Sequence, residues 1–309
     1  MAGGSTRVVL TALAGNGAIA LAKFAAAGLS GSTAMFTEAI HSLVDTGDQL
    51  LLLVGQSRGG RKPDESHPLG YGMETYFWSF IVALMVFVLG GVLSVFEGVR
   101  HILRPEPLVS PWISLGVLAV AAVFEGLSFR VGYREYKAVV RGRPVRFWAF
   151  IKGSKDPGLV AVLLEDSAAL IGIGLAAVGV AASAFAHVAW ADGAASVAIG
   201  VLLAGVAFVL ANETRSLIAG EAVAPIVMDR LKETLDAIDC ITELDEIATL
   251  HLGPGAILVA LTLGFRPKAS GASINAAIVE ITDCLKATDE RVAYVYVRPA
   301  HTPQAKTGG

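Results

Sequence analysis

The sequence predicts an all-α membrane domain, a bundle of six spanning helices over residues 1–213, followed by a small α+β domain over 214–309. Three observations carry this. The chain is 54% hydrophobic and 17% charged, too apolar for an ordinary soluble domain and too charged to lie in a bilayer throughout. The charges are also unevenly placed: long apolar runs fill the chain up to about residue 212, and ordinary soluble composition follows. Finally, the hydrophobic period changes beyond that point, from unbroken apolar stretches to short amphipathic stripes and alternating segments.

A helix needs about 20 residues to cross roughly 30 Å of hydrocarbon. Spans of that kind fall at Arg7–Gly28, Ala34–Gln56, Glu74–His101, Val109–Gly132, Gly158–Ala186 and Ala191–Asn212. The first apolar run leads directly into the second, the pattern of a membrane domain and not of a cleaved leader. Basic residues orient the bundle. Arg58, Arg61 and Lys62 lie between spans two and three, and Arg134, Lys137, Arg141, Arg143, Arg146, Lys152 and Lys155 between spans four and five. Arg100 and Arg104 are nearly all that the opposite side carries. An even number of spans then places both termini in the cytoplasm, and a bacterial inner membrane is the expected location.

In the tail, Val227, Leu231, Leu235 and Ile238 form one helical stripe, and Ile274, Ile278, Ile281 and Leu285 form another. Ile257, Val259, Leu261, Leu263 and Phe265 alternate as a half-buried strand does. An extended segment at Leu244–Leu252 and the turn Gly253-Pro254-Gly255 precede that strand, and Val292–Val297 supplies a last one. The predicted order is helix, strand, strand, helix, strand. Cys240 and Cys284, the only cysteines, form no CxxC pair, so no disulfide framework or thiolate metal site is expected. The net charge of −3, without a basic block, gives no sign of nucleic-acid binding.

Ionisable residues within a span are expensive and become functional candidates by default. His41 and Asp45 stand four apart in span two, on one helical face with Cβ atoms roughly 5–6 Å apart, and can share one small ion. An imidazole with a carboxylate suits zinc, manganese, iron or cobalt better than calcium or magnesium. The plainer alternative is a structural His–Asp hydrogen bond. Asp48 lies near the same face, where it can serve water access. In span five Glu165 and Asp166 are adjacent and point about 100° apart, so only one is expected to face the centre that His41 faces. Asn16 in span one is a packing residue or a ligand. Glu125 in span four is a proton site or the partner of a basic residue. An intramembrane metal enzyme with Glu165 as base is a rival reading, but no HExxH motif occurs.

These residues together resemble the cation diffusion facilitators, a family of zinc and related divalent-metal exporters. The resemblance rests on Phe36-Thr37-Glu38-Ala39-Ile40-His41-Ser42-Leu43-Val44-Asp45, on Asp64-Glu65-Ser66-His67-Pro68-Leu69-Gly70-Tyr71-Gly72, and on Leu164-Glu165-Asp166 with the α+β tail. It is closest to the branch of zinc transporter nine-like proteins, whose fifth span also reads Leu-Glu-Asp. The resemblance implies proton-coupled efflux of a divalent metal, Zn²⁺ first and Mn²⁺, Fe²⁺ or Co²⁺ as alternatives, by a homodimer with no prosthetic group and no enzymatic activity. A non-transporting scaffold or regulator is the other reading. The resemblance implies metal ligands at His41, Asp45 and Asp166, with Glu165, Glu125, Asn16 or water supplying the fourth, because Val162 stands where the family's remaining ligand is expected. Asp64 and His67 match an accessory loop site, in which Tyr71 replaces a second histidine. The tail resembles a metallochaperone-like cytoplasmic domain, but Val295–Arg298 lacks the closing His-x-Asp, so a dimerisation module is expected there. His251 and His301 are read as surface or packing residues.

Overall fold

A computed structural model describes residues 2–105, 107–140, 146–238, 241–266 and 269–300, with side chains from residue 16 onward. The chain divides into two compact units, residues 1–57 with 76–215, and residues 58–75 with 216–309. The loop after the second helix therefore belongs to the tail unit.

The first unit is helical. α1 (Ala2–Ser30) and α2 (Thr33–Gly59) are followed by α3 (Met73–Met85), a π-helical stretch at Val86–Val92 and α4 (Leu93–Leu103). α5 (Pro111–Val140), the short α6 (Phe147–Gly153), α7 (Pro157–Phe185) and α8 (Ala191–Ala219) complete it. Four stretches are long and apolar enough to cross a membrane: Met73–Leu103, Pro111–Val140, Pro157–Phe185 and Ala191–Ala219. α1 and α2 match them in length. In α2 the acids Glu38, Asp45 and Asp48 interrupt the apolar sequence. The outward side of α5 shows the exposure that lipid contact requires, with Val120, Val123, Phe124, Leu127 and Val131 all more than half exposed.

Local chemistry sets the helix ends. Asp156 caps α7 by accepting from the Gly158 and Leu159 amides at 3.0 and 3.3 Å, with Pro157 in the first turn. The α2 N-terminus is capped from a distant element. Buried Asp192 accepts from the Thr33 and Ala34 amides and, at 2.6 Å, from the Ser32 hydroxyl. A carboxylate is favoured there because the first amides of a helix have no internal partner. Glycines let α8 approach α4 and the π-helical stretch before it closely. A Cβ on Gly98 would lie 2.7 Å from the Gly193 carbonyl oxygen, and one on Gly200 would lie 2.8 Å from that of Gly91. α6, which charge patterning alone assigns to a basic loop, is held by aromatic packing of Phe147 and Phe150 on Tyr136.

The tail unit contains α9 (Pro225–Asp236), β1 (Ile241–Gly253), β2 (Ala256–Phe265), α10 (Gly271–Thr288) and β3 (Val292–Pro299), in the order the periodicity predicts. β2 lies in the middle of a three-stranded sheet, antiparallel to β1 and parallel to β3. Its alternating Ile257, Val259, Leu261 and Leu263 are buried with Leu231 and Leu235 of α9 and Ile281 and Leu285 of α10. α8 runs unbroken through Asn212 to Ala219, so residue 213 lies inside a helix.

Candidate functional site

α2 organises the site. His41, Asp45 and Asp48 lie at successive turns, and its buried positions include His41 and Asp48. His41 Nδ1 stands 3.4 Å from Asp45 Oδ1, and neither imidazole nitrogen has a hydrogen-bond partner. The contact is too poorly formed to be the structural His–Asp hydrogen bond considered above. It leaves both groups available to a ligand.

A cavity of about 30 Å³, room for one or two waters, opens beside this face. Its lining draws on four helices: Asn16 of α1, Ser42, Asp45 and Gln49 of α2, Glu125 and Ser128 of α5, and Val162, Glu165 and Asp166 of α7. Both adjacent acids of α7 thus line the same cavity. The cavity lies among helices on both sides of α7, so successive positions find opposite walls. Asp166 turns to α5, where its Oδ2 accepts from the Ser128 hydroxyl at 2.9 Å. Glu165 turns to α2, where ligand oxygens of Asp45, Asp48 and Glu165 all lie within 4.8 Å of one another. Both oxygens of Asp48 and Oε1 of Glu165 are buried without a hydrogen-bond partner. Three carboxylates so placed, away from water, cannot all stay charged without a cation or protons between them. Asp48 is therefore a closer neighbour of the site than its sequence position suggests. Val162, where the resemblance leaves a ligand missing, does line the cavity.

Lys23 escaped the sequence reading, and Glu38 entered it only within a quoted motif. Lys23 of α1 is fully buried and donates to Glu38 Oε2 at 3.0 Å and to the Ser42 hydroxyl at 2.7 Å. It joins α1 to α2 behind the cavity wall that Ser42 forms. Glu38 Oε1 is directed at Gly172 of α7, where a Cβ would collide with it. A lone lysine in the apolar run of α1 was the available signal.

Asp64 and His67 belong to the tail unit and are already occupied with one another's loop. Asp64 accepts from the Tyr71 hydroxyl at 2.6 Å, the Ser66 hydroxyl at 2.7 Å and the His67 amide at 2.8 Å. Those bonds, led by that from Tyr71, hold its carboxyl well below the usual range. The His67 ring stacks on Tyr71, with centroids 4.0 Å apart. A metal here would have to displace bonds that shape the loop. In the tail, His251 is buried, which fits a packing role, while His301 and Cys240 lie outside the described residues.

Comparison with known proteins gives the family. A family model for the cation efflux transmembrane domain matches residues 9–219. The chain is 33% identical over 255 residues to the human proton-coupled zinc antiporter SLC30A9, mitochondrial, covering 82% of this chain and 45% of that protein. It is 31% identical over 254 residues to metal tolerance protein C4 of Arabidopsis thaliana, covering 82% and 55%. With the manganese efflux system protein MneP of Bacillus subtilis the identity is 23% over 249 residues, covering 81% and 80%. The chain spans about half the length of the first two of these relatives. It is a membrane protein of the cation efflux, or cation diffusion facilitator, family, and it belongs to the branch that holds the zinc transporter nine-like antiporters.

Proposed function

We propose that the chain exports a divalent transition metal, Zn²⁺ in the first place, in exchange for protons by alternating access. The observation that carries this reading is one small cavity between helices lined by Asp45, Glu165 and Asp166, with buried, unpartnered His41 3.4 Å from Asp45. His41, Asp45 and Asp166 are assigned as ligands of the cargo ion, with Glu165 beside them and Asn16 and Glu125 on the facing walls. Metal binding needs neutral imidazole and ionised carboxylates, so metal and protons compete for the same atoms. Open to the cytoplasm, the site loads metal and releases protons. Open to a more acidic side, it reloads protons and releases metal.

The full transport domain is proposed to have six spans, with α1 and α2 completing the four apolar helices. The acids of α2 are then tolerated because they face the bundle interior. The tail, residues 214–309, is proposed as a cytoplasmic dimerisation module and the working unit as a homodimer. The distribution of basic residues supports a location with both termini in the cytoplasm, and a bacterial inner membrane is proposed. Mn²⁺ is a second cargo reading, favoured by the oxygen-rich cavity lining and by the manganese efflux relative.

The test is reconstitution in vesicles with a metal-sensitive and a pH-sensitive dye inside. Metal entry should be accompanied by proton movement in the opposite direction and should respond to an imposed pH gradient. Metal entry that ignores the pH gradient refutes proton exchange. No metal entry at all favours a non-transporting scaffold.

A further inference from the structure

Asp48 stands beside two acids of the cavity, Asp45 and Glu165, and the proposed ligand set leaves it unexplained. It is fully buried, and neither carboxylate oxygen has a hydrogen-bond partner. Burying a carboxylate in this way is costly unless something binds it. Glu165 repeats the pattern from the opposite helix, buried with Oε1 unpartnered. Ligand oxygens of these two and of Asp45 fall within 4.8 Å of one another. Oxygen ligands lie about 2.0–2.6 Å from a hard divalent cation, so oxygens on opposite sides of such an ion are about 4–5 Å apart. The three carboxylates can therefore close on one ion with small side-chain rotations.

We propose that Asp45, Asp48 and Glu165 form a second, all-oxygen metal position that takes Mn²⁺ and shares Asp45 with the imidazole-containing position at His41. The proposal rests on the transport reading and deepens it by naming a second cargo and the residues that admit it. Donor chemistry separates the two positions. Imidazole suits zinc, whereas a carboxylate shell suits magnesium, calcium or manganese. Cavity size narrows the choice. Magnesium gives up its water reluctantly and keeps several water ligands, and a cavity of about 30 Å³ has room for one or two. Calcium takes six to eight oxygens, which here would require all three carboxylates to bind bidentately. Manganese, which suits carboxylate and water oxygens and takes fewer of them than calcium, fits best. Because Asp45 serves both positions, an ion in one withdraws a ligand from the other, and zinc and manganese should compete although they occupy different sites.

The test uses the purified full-length chain in detergent. Mn²⁺ binding is read from loss of the free-ion electron paramagnetic resonance signal, and Zn²⁺ binding by titration calorimetry. Asp48→Asn should weaken Mn²⁺ at least tenfold and change Zn²⁺ affinity less than threefold. His41→Ala should do the reverse, and Asp45→Asn should weaken both. If Asp48→Asn does not fold, Asp48→Ser should show the same loss of Mn²⁺ with Zn²⁺ retained. Unchanged Mn²⁺ affinity in the folded variant, or equal loss of both metals, overturns the second position, as does a wild-type chain that binds Zn²⁺ but not Mn²⁺. A wild-type chain that binds neither metal refutes the transport reading itself.

Discussion

Lys23 and Glu38 offer the sharpest test of how the first unit is held together. Their side chains are fully buried and 3.0 Å apart, and Lys23 also donates to Ser42 at 2.7 Å. Removing one member of such a pair leaves the other charged and unpaired in a dry interior, which destabilises by about 3–5 kcal/mol. Lys23→Met should therefore lower stability by about that amount, because Glu38 loses its hydrogen-bonding cation and the Ser42 hydroxyl loses its donor. Glu38→Gln should fall in the same range, because it leaves the ammonium without its counter-charge. The double variant removes both charges at once. Replacing a buried pair by neutral groups of similar volume is often neutral or stabilising, so it should lose less than either single change. The double-mutant cycle should then give a coupling of at least about 2 kcal/mol. The assay is reversible denaturation of the detergent-solubilised chain, followed by helical circular dichroism. Additive single losses in the double variant would refute the reasoning, since they would mean that the two charges do not sense one another.

Asp45→Ala should abolish Zn²⁺ uptake into vesicles while leaving the elution volume and helical content of the purified chain unchanged; uptake near the wild-type rate would remove Asp45 from the site. The tail should keep its melting temperature in excess chelator, because its core is built from Leu231, Leu235, β2 and α10 without a metal, and a large loss would reveal a structural ion. The Asp64 carboxyl is held below its usual range by hydrogen bonds from Tyr71 and Ser66. Its contribution to loop order is therefore complete above the ordinary carboxylate range and is lost only as pH falls through the lowered value. Carbon NMR should show Asp64 ionised throughout mildly acidic and neutral pH, and Tyr71→Phe should move its titration upward; an unchanged titration would show that the hydroxyl is not the main cause.

The sequence alone carried the division between apolar and soluble parts, the order of elements in the tail and the pairing of His41 with Asp45. Each of these is local: a hydrophobic period or a four-residue helical spacing fixes which side chains share a face, whatever surrounds them. The span count rested on the same local reasoning, and it is clearest for the four apolar helices. In α2, acids offset the apolar residues, and only the packing shows where they go: Asp45 lines an interior cavity and Glu38 pairs with Lys23. Tertiary structure alone decided which acids meet. Helical periodicity separates Glu165 from Asp166 by about 100° but does not say what stands opposite each of them. The packing of α2 and α5 around α7 gave Glu165 the two aspartates of α2 and gave Asp166 the hydroxyl of Ser128. Lys23 and Asp192 were equally hidden, because their partners lie 15 and about 160 residues away, at Glu38 and at the start of α2. A buried charge is readable in a sequence, but its partner is chosen by how helices pack, and that depends on side chains from several elements at once.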